Sequence, residues 1–159
     1  LAKLFKKPVL VDPKEKHFNL YKGVTAITPN RYEAYGALGF SANGHQEKNL
    51  EEVGKGLLKN LRSEAVLITL GEEGMALFEK DRKVTKIPTA AQEVFDVSGA
   101  GDTVIGVLAL GLAAGATMRE AAVLSNLAAG IVVGKLGTAT IEPSELKQAI
   151  RLQGDLIHA

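Results

Sequence analysis

Two long uncharged stretches toward the C-terminal end constrain the fold more than any other feature. Sixteen residues without a charge lie between Asp102 and Arg119, and fourteen more between Glu120 and Lys135. Both are Ala-rich and apolar nearly all round, and both are shorter than the ~20 residues that span a bilayer. They read as two helices, 101–115 and 118–135, packed inside a soluble protein. Between them "GATMRE" offers Thr117 as a cap three residues ahead of Glu120.

Such helices need a partner layer, and the upstream sequence supplies one. "PVLVD" (8–12), "VTAITP" (24–29) and "AVLITL" (65–70) are short β-branched runs bounded by polar or turn residues, the pattern of buried strands. Leu50, Val53, Leu57, Leu58 and Leu61 repeat at helical spacing within 46–62, with Glu51 four residues before Lys55 on the wet side. "GMALFEK" and "RKVTKIP" read as a hairpin turning at "DR", and "EPSELKQAIR" as a last amphipathic helix with Pro143 near its start. Strands alternating with helices predict an α/β fold with a mostly parallel sheet covered on both faces. No repeat or linker divides the chain, so residues 1–159 are expected to form a single domain.

Composition narrows the partners. With 46% hydrophobic and 23% charged residues the chain can bury a sizeable core. Nineteen basic residues against eighteen acidic ones, scattered along the sequence, make no basic face for nucleic acid. The absence of cysteine removes disulfides, thiolate metal sites and cysteine nucleophiles, and fits a reducing compartment. "LAKLFKKPVL" has no apolar signal-peptide core, which predicts a cytoplasmic protein without a membrane partner. Leu1 is not a methionine and stands in what reads as the tail of a helix, so the chain is expected to begin within a larger protein.

Four places can carry chemistry. In "DVSGAGDT", Gly99, Ala100 and Gly101 can turn successive amides toward one point, and the helix that follows adds its positive end, an arrangement suited to phosphate oxygens. Asp102, beside such an anion pocket, suits a base that takes a proton from an attacking hydroxyl; the plainer alternative is a helix cap after a tight turn. Asp96 and Ser98 add polar groups that a plain turn does not need. In "TPNRYEA", Asn30 and Glu33 stand three apart on one face and could organise Mg²⁺ beside phosphates, although a capping box is the commoner meaning of that spacing. "TLGEEG" (69–74) ends a strand with glycines where ligands gather in open α/β sheets, or simply turns the chain. Asn126, in an apolar helix, must hydrogen-bond either a neighbouring loop or a bound heterocycle. There is no GxxxxGK[ST] loop; His17, His45 and His158 lie far apart; and Ser98 precedes both glycines, which excludes a GxSxG serine nucleophile.

"TPNRYEA", "TLGEEG" and "DVSGAGDT", in this order along the chain, resemble the motifs of the ribokinase-like (PfkB) carbohydrate kinases, which occur in the same order. "VDPKEKHFNLYKGVTAITPN", "AGDTVIG" and "AAGIVVGKLGTATIEPSEL" are similar to the kinase part of the heptose-phosphate kinase/adenylyltransferases within that family. The resemblance implies a three-layer α/β/α sandwich, of which this chain is the C-terminal, nucleotide-binding portion. It also implies ATP-dependent phosphorylation of O1 of D-glycero-β-D-manno-heptose 7-phosphate for ADP-heptose and lipopolysaccharide, or of another sugar such as ribose, fructose or a hexose phosphate. A non-catalytic nucleotide-binding module is the rival from a different class. By the same resemblance Asp102 is the base and Gly99, Ala100 and Gly101 the anion hole. Asn30 and Glu33 would organise Mg²⁺, through water, and the phosphates, with Arg31 and Tyr32 as further nucleotide-binding residues. Thr69, Gly71 and Gly74 would line the ATP site, with Asn126 near the adenine. Asp96 and Ser98, with carbonyls around 132–137, would form a K⁺ site. The sugar-binding half and lid of the family are not in this sequence, so the chain alone is expected to bind ATP without efficient turnover; homodimerisation is left open. Val97 stands where the wider family often has Thr, a change the backbone-built anion hole tolerates.

Overall fold

The computed structural model describes residues 1–2, 4–40, 49–80 and 82–152. Five strands, β1 (Leu10–Val11), β2 (Ala26–Ile27), β3 (Ala65–Thr69), β4 (Met75–Glu79) and β5 (Thr85–Ile87), form one sheet in the order β1-β2-β3-β4-β5. The first three are parallel, with Leu10 opposite Ala26 and Ala26 opposite Ala65. β4 runs antiparallel to β3, pairing Thr69 with Met75 and Ala65 with Glu79. The "DR" turn includes Asp81, which lies outside the described residues, as does the stretch 46–48 expected to begin the first long helix.

By its contacts the chain divides into two compact units, Leu1–Leu70 with Met75–Lys86, and Gly71–Gly74 with Ile87–Ala159. In the first unit the sheet carries helices α1 (Arg31–Gly36) and α2 (Leu50–Leu61). α2 turns Val53, Leu57 and Leu61 into a core with Ile27, Val66, Ile68 and Phe78. Asn49 caps it by accepting the Glu51 N–H, and Gly23 N–H donates to the Leu61 carbonyl at 2.7 Å, satisfying one orphan group at the far end. Glu51 and Lys55 pair on the exposed side. β2 is fully buried, whereas β1 at the sheet edge is only half-buried, less than its β-branched sequence predicts.

The second unit is built from α3 (Ala100–Ala113), α4 (Met118–Val133) and α5 (Pro143–Leu152). Thr117 and Glu120 form the expected capping box at the start of α4. α4 is as buried as its sequence predicts, but α3 is not. Only Val104 and Leu108, one turn apart, are buried, and Leu110 is 71% exposed. One neighbouring helix covers one stripe, and α4 covers that of Val104 and Leu108. The helices approach closely where a Cβ on Gly111 would lie 3.0 Å from the Ala121 Cβ. No helix among the described residues is long and apolar enough to cross a membrane.

Candidate functional site

In the first unit the candidate residues sit at the carboxyl ends of parallel strands, where side chains and loops are free of the ladder. Asn30 follows β2 and forms an isolated parallel bridge with Thr69, the last residue of β3. The Thr69 N–H donates to the Pro29 carbonyl at 3.0 Å. Asn30 is the N-cap of α1: its Oδ1 accepts the Glu33 N–H at 2.9 Å, while Glu33 Oε2 accepts the Asn30 N–H at 2.8 Å. The capping reading of this motif is therefore realised, and it leaves Glu33 Oε1 outside the box. Tyr32 is exposed and Arg31 half-buried beside it. Among the described residues no three His, Cys, Asp or Glu side chains cluster to hold a metal. This donor set fits a Mg²⁺ ion held mainly through water and phosphate oxygens, which needs only one or two protein carboxylates.

In the second unit Gly71–Glu73 form a single 3-10 turn, and Gly71 and Gly74 have φ of +63° and +87°. Gly71 faces open space, but a Cβ on Gly74 would lie 2.2 Å from the Ile87 carbonyl oxygen and 2.5 Å from the Thr89 nitrogen. The same segment is held by α4. Asn126, 5% exposed, donates from Nδ2 to the Pro88 carbonyl at 2.7 Å. One turn on, a Cβ on Gly130 would come within 2.8 Å of the Ala90 backbone. After another turn, Val133 O accepts from Phe95 N–H at 2.8 Å and Asp96 N–H at 3.2 Å. Residues 87–96 thus run alongside α4 and deliver the chain to the "DVSGAGDT" turn.

That turn is built from its own polar groups. Asp96 Oδ1 accepts the Ser98 N–H at 2.8 Å. The Ser98 N–H and hydroxyl, and more weakly the Gly137 N–H, hold the Asp96 carboxyl below its ordinary range. Gly99, at φ +81°, is the N-cap of α3 and brings no side-chain cap. Its carbonyl accepts the Thr103 N–H and hydroxyl, both at 3.0 Å. The Ala100 N–H reaches back to Val97 O at 3.2 Å, so the first-turn amides left to an anion are those of Gly101 and Asp102. Asp102 is exposed in the first turn and, among the described residues, has no hydrogen-bonded or ionic partner, which separates it from the helix-cap alternative. Of the carbonyls expected around a K⁺ ion, Val132 O accepts the Gly134 and Lys135 N–H groups, and Val133 O is taken by Phe95 and Asp96.

Sequence reasoning singled out these turns but missed what holds them. Gly130 and Gly134 repeat at four-residue spacing after Asn126, a periodicity visible in the sequence that indicates a backbone passing close to one helix face. Lys135 and Glu145, flanking "LGTATIEPS", are an ion pair whose charges also bracket a turn-rich stretch.

The pfkB family carbohydrate kinase model matches residues 1–145. The chain is 50% identical over 155 residues to the Bifunctional protein HldE of Proteus mirabilis, covering 98% of this chain and 32% of that protein. With its namesake from Citrifermentans bemidjiense it shares 52% over 139 residues, 87% of this chain and 28% of the relative. The chain thus spans about a third of the length of these relatives. Among solved structures, the ribokinase of Thermotoga maritima superposes with a TM-score of 0.78 at 25% identity, over 94% of this chain and 51% of the ribokinase. The phosphofructokinase-2 of Escherichia coli gives 0.79 at 15% identity, over 92% of this chain and 48% of that one, a likeness of fold alone. A ribokinase-like α/β fold carrying these motifs in a chain matched over 1–145 leads to one assignment: the chain belongs to the pfkB family of carbohydrate kinases.

Proposed function

We propose that residues 1–159 are one partial domain, the nucleotide-binding portion of a cytoplasmic ATP-dependent sugar kinase that phosphorylates O1 of D-glycero-β-D-manno-heptose 7-phosphate. The observation that carries the kinase reading is Asp102, exposed and unpartnered among the described residues, one turn into a helix whose N-cap is a glycine. The sugar is chosen on the heptose-kinase resemblance of "VDPKEKHFNLYKGVTAITPN" and "AAGIVVGKLGTATIEPSEL", supported by identity near 50% to the HldE proteins.

In this reading Asp102 accepts the proton of the O1 hydroxyl as O1 bonds to the γ-phosphorus of ATP. The bond from that phosphorus to the bridging oxygen breaks, and ADP leaves with the electron pair. The Ala100 N–H, expected in the anion hole, is taken by the Val97 carbonyl, so in this reading the amides of Gly101 and Asp102, with that of Gly99, stabilise the charge on the transferring group, which is most of what phosphoryl transfer asks of a protein. Asn30 and Glu33 would hold Mg²⁺ through water, where it would supply neutralisation of the phosphate charge, and Arg31 and Tyr32 would serve the nucleotide beside them. Thr69, Gly71 and Gly74 line the nucleotide in this reading, with Gly71, open on its Cβ side, letting backbone approach it and Gly74 making room for the Ile87–Thr89 segment; Asn126 acts on the adenine side by fixing the Pro88 segment. K⁺, where used, draws on Asp96 and Ser98 rather than on the occupied carbonyls of Val132 and Val133.

The test is a panel of sugars and sugar phosphates against the full-length protein, following ADP release and the phosphorylated product. Asp102→Asn is expected to lower kcat by about 10²–10⁴-fold while ATP affinity barely changes. An unchanged kcat removes the base role. Transfer to ribose, fructose or a hexose phosphate but not to the heptose selects another pfkB kinase. ATP binding without transfer, and with Asp102 dispensable, indicates a nucleotide-binding module. Residues 1–159 alone are expected to bind ATP without efficient transfer.

A further inference from the structure

The loop between α4 and α5 is closed at its base. Lys135 Nζ donates to the Thr140 carbonyl at 2.9 Å and to Glu145 Oε2 at 2.8 Å. The same Oε2 accepts the Glu142 N–H at 2.8 Å, tying the pair to the first turn of α5. The two side chains are 31% and 35% exposed, so water screens them less than a fully exposed pair. Inside this clasp lie the two residues that meet the "DVSGAGDT" turn. The Thr138 Cγ2 lies 3.1 Å from where a Gly99 Cβ would stand, and Gly137, at φ +71°, precedes it; the Gly137 N–H also contributes, less than Ser98, to keeping the Asp96 carboxyl ionised. Within one compact unit, Lys135 thus ties Thr140 and Glu145 together at the base of the loop that carries Gly137 and Thr138, and Thr138 packs beside Gly99.

We propose that Lys135 and Glu145 are a positioning pair, whose contact holds Gly137 and Thr138 against the Asp96–Gly99 turn and so fixes the amides and the carboxylate that open α3. The inference rests on the kinase reading for its consequence, though not for its geometry. A surface ion pair that only closed a loop would change stability and leave turnover alone. A brace on the turn has a different outcome, because a small displacement of reacting groups lowers turnover more than binding.

The experiment uses the full-length protein with Lys135→Met, Lys135→Arg and Glu145→Gln. Amide hydrogen exchange is read at Ser98–Asp102 and at Gly137–Thr138, with residues 121–128 of α4 as the internal reference. Lys135→Met is expected to speed exchange in both turns without moving the reference. It should also lower kcat by about 10- to 100-fold with KM for ATP nearly unchanged. Lys135→Arg, which keeps the charge and the donors, should restore both. Should Lys135→Met fail to fold, Glu145→Gln, which keeps an acceptor for the Glu142 N–H but loses the charge, should show the same pattern in milder form. Unchanged exchange in both turns overturns the proposal, and so does faster exchange with unchanged kcat. A wild-type protein with no phosphotransfer overturns the kinase reading instead, and the exchange data still decide whether the pair braces the turn.

Discussion

Asn126 reaches from α4 to the Pro88 carbonyl, 38 residues away in sequence, with a 2.7 Å hydrogen bond that fastens an extended segment to the most buried helix of its unit. Removing the amide leaves a carbonyl partner beside a nearly buried site without its donor. Asn126→Leu, close in size, is expected to destabilise the protein by about 1–3 kcal/mol, measured as a lowered urea midpoint. If Asn126 served only a ligand, stability would hold and ATP affinity alone would fall.

Gly71 and Gly74 both have positive φ, yet their surroundings separate them. At Gly71 a methyl group meets nothing within 4 Å, so Gly71→Ala costs about 1–2 kcal/mol of backbone strain. At Gly74 the methyl would stand 2.2 Å from the Ile87 carbonyl oxygen, and main chain must move. Gly74→Ala is expected to be the more destabilising by at least about 1–3 kcal/mol. Thermal unfolding of the two variants side by side checks the order. A Gly71→Ala protein that stays folded while binding ATP more weakly would identify Gly71 as the position where backbone and nucleotide approach.

These contrasts show where sequence is informative and where it falls silent. The capping boxes of Asn30 with Glu33 and Thr117 with Glu120 are written within four residues, so spacing alone reveals them. The parallel strands declare themselves through short β-branched runs. The Asp96–Ser98 turn and the left-handed Gly99 follow from local composition as well. The exposed face of α3 does not, because a helix apolar on every side carries no periodicity to say which stripe is covered. The Asn126–Pro88 bond and the Lys135–Glu145 clasp depend on chain segments that meet only after folding: the Asn126, Gly130, Gly134 spacing marks a helix face without naming the segment that crosses it, and charges bracketing a turn do not specify that they pair.

Acid should weaken the protein through three carboxylates whose partners stabilise the ionised form. Glu145 is held below its ordinary 4.5 chiefly by hydrogen bonding to Lys135 and then by the Glu142 N–H. Asp96 is held below 3.8 by Ser98 and Gly137, and Glu51 below 4.5 by Lys55. Each has a folded pKa below its unfolded one, so its contribution is fully present above the ordinary value and is lost as pH falls through the lowered folded value. Urea midpoints are therefore expected to be level near neutrality and to decline below about pH 4.5, over the usual carboxylate range. In Glu145→Gln the decline should be shallower, and an equally steep one would show that the Lys135 contact adds nothing in solution.

The capping box at Asn30 and Glu33 also permits a clean separation of structure from chemistry. Both residues are used by the helix: Asn30 Oδ1 holds the Glu33 N–H, and Glu33 Oε2 holds the Asn30 N–H. A glutamine at the third position of a helix can make the same return bond through its amide oxygen, so Glu33→Gln keeps the box and removes only the charge. Its stability is expected to stay within about 0.5 kcal/mol of the parent, the range of substitutions that spare such features. If the carboxylate also orients the water or phosphate ligands of Mg²⁺, the full-length enzyme should need more Mg²⁺ to reach half-maximal rate and should turn over about 10-fold more slowly or worse, as losses of outer-shell metal partners do. Alanine at Asn30 is the complementary variant, because it removes the cap and should cost about 0.5–2 kcal/mol of stability. A Glu33→Gln enzyme with unaltered Mg²⁺ dependence and unaltered kcat would mean that Glu33 is a helix cap alone, and the metal-side assignment of this motif would then fall to Asn30 or to neither.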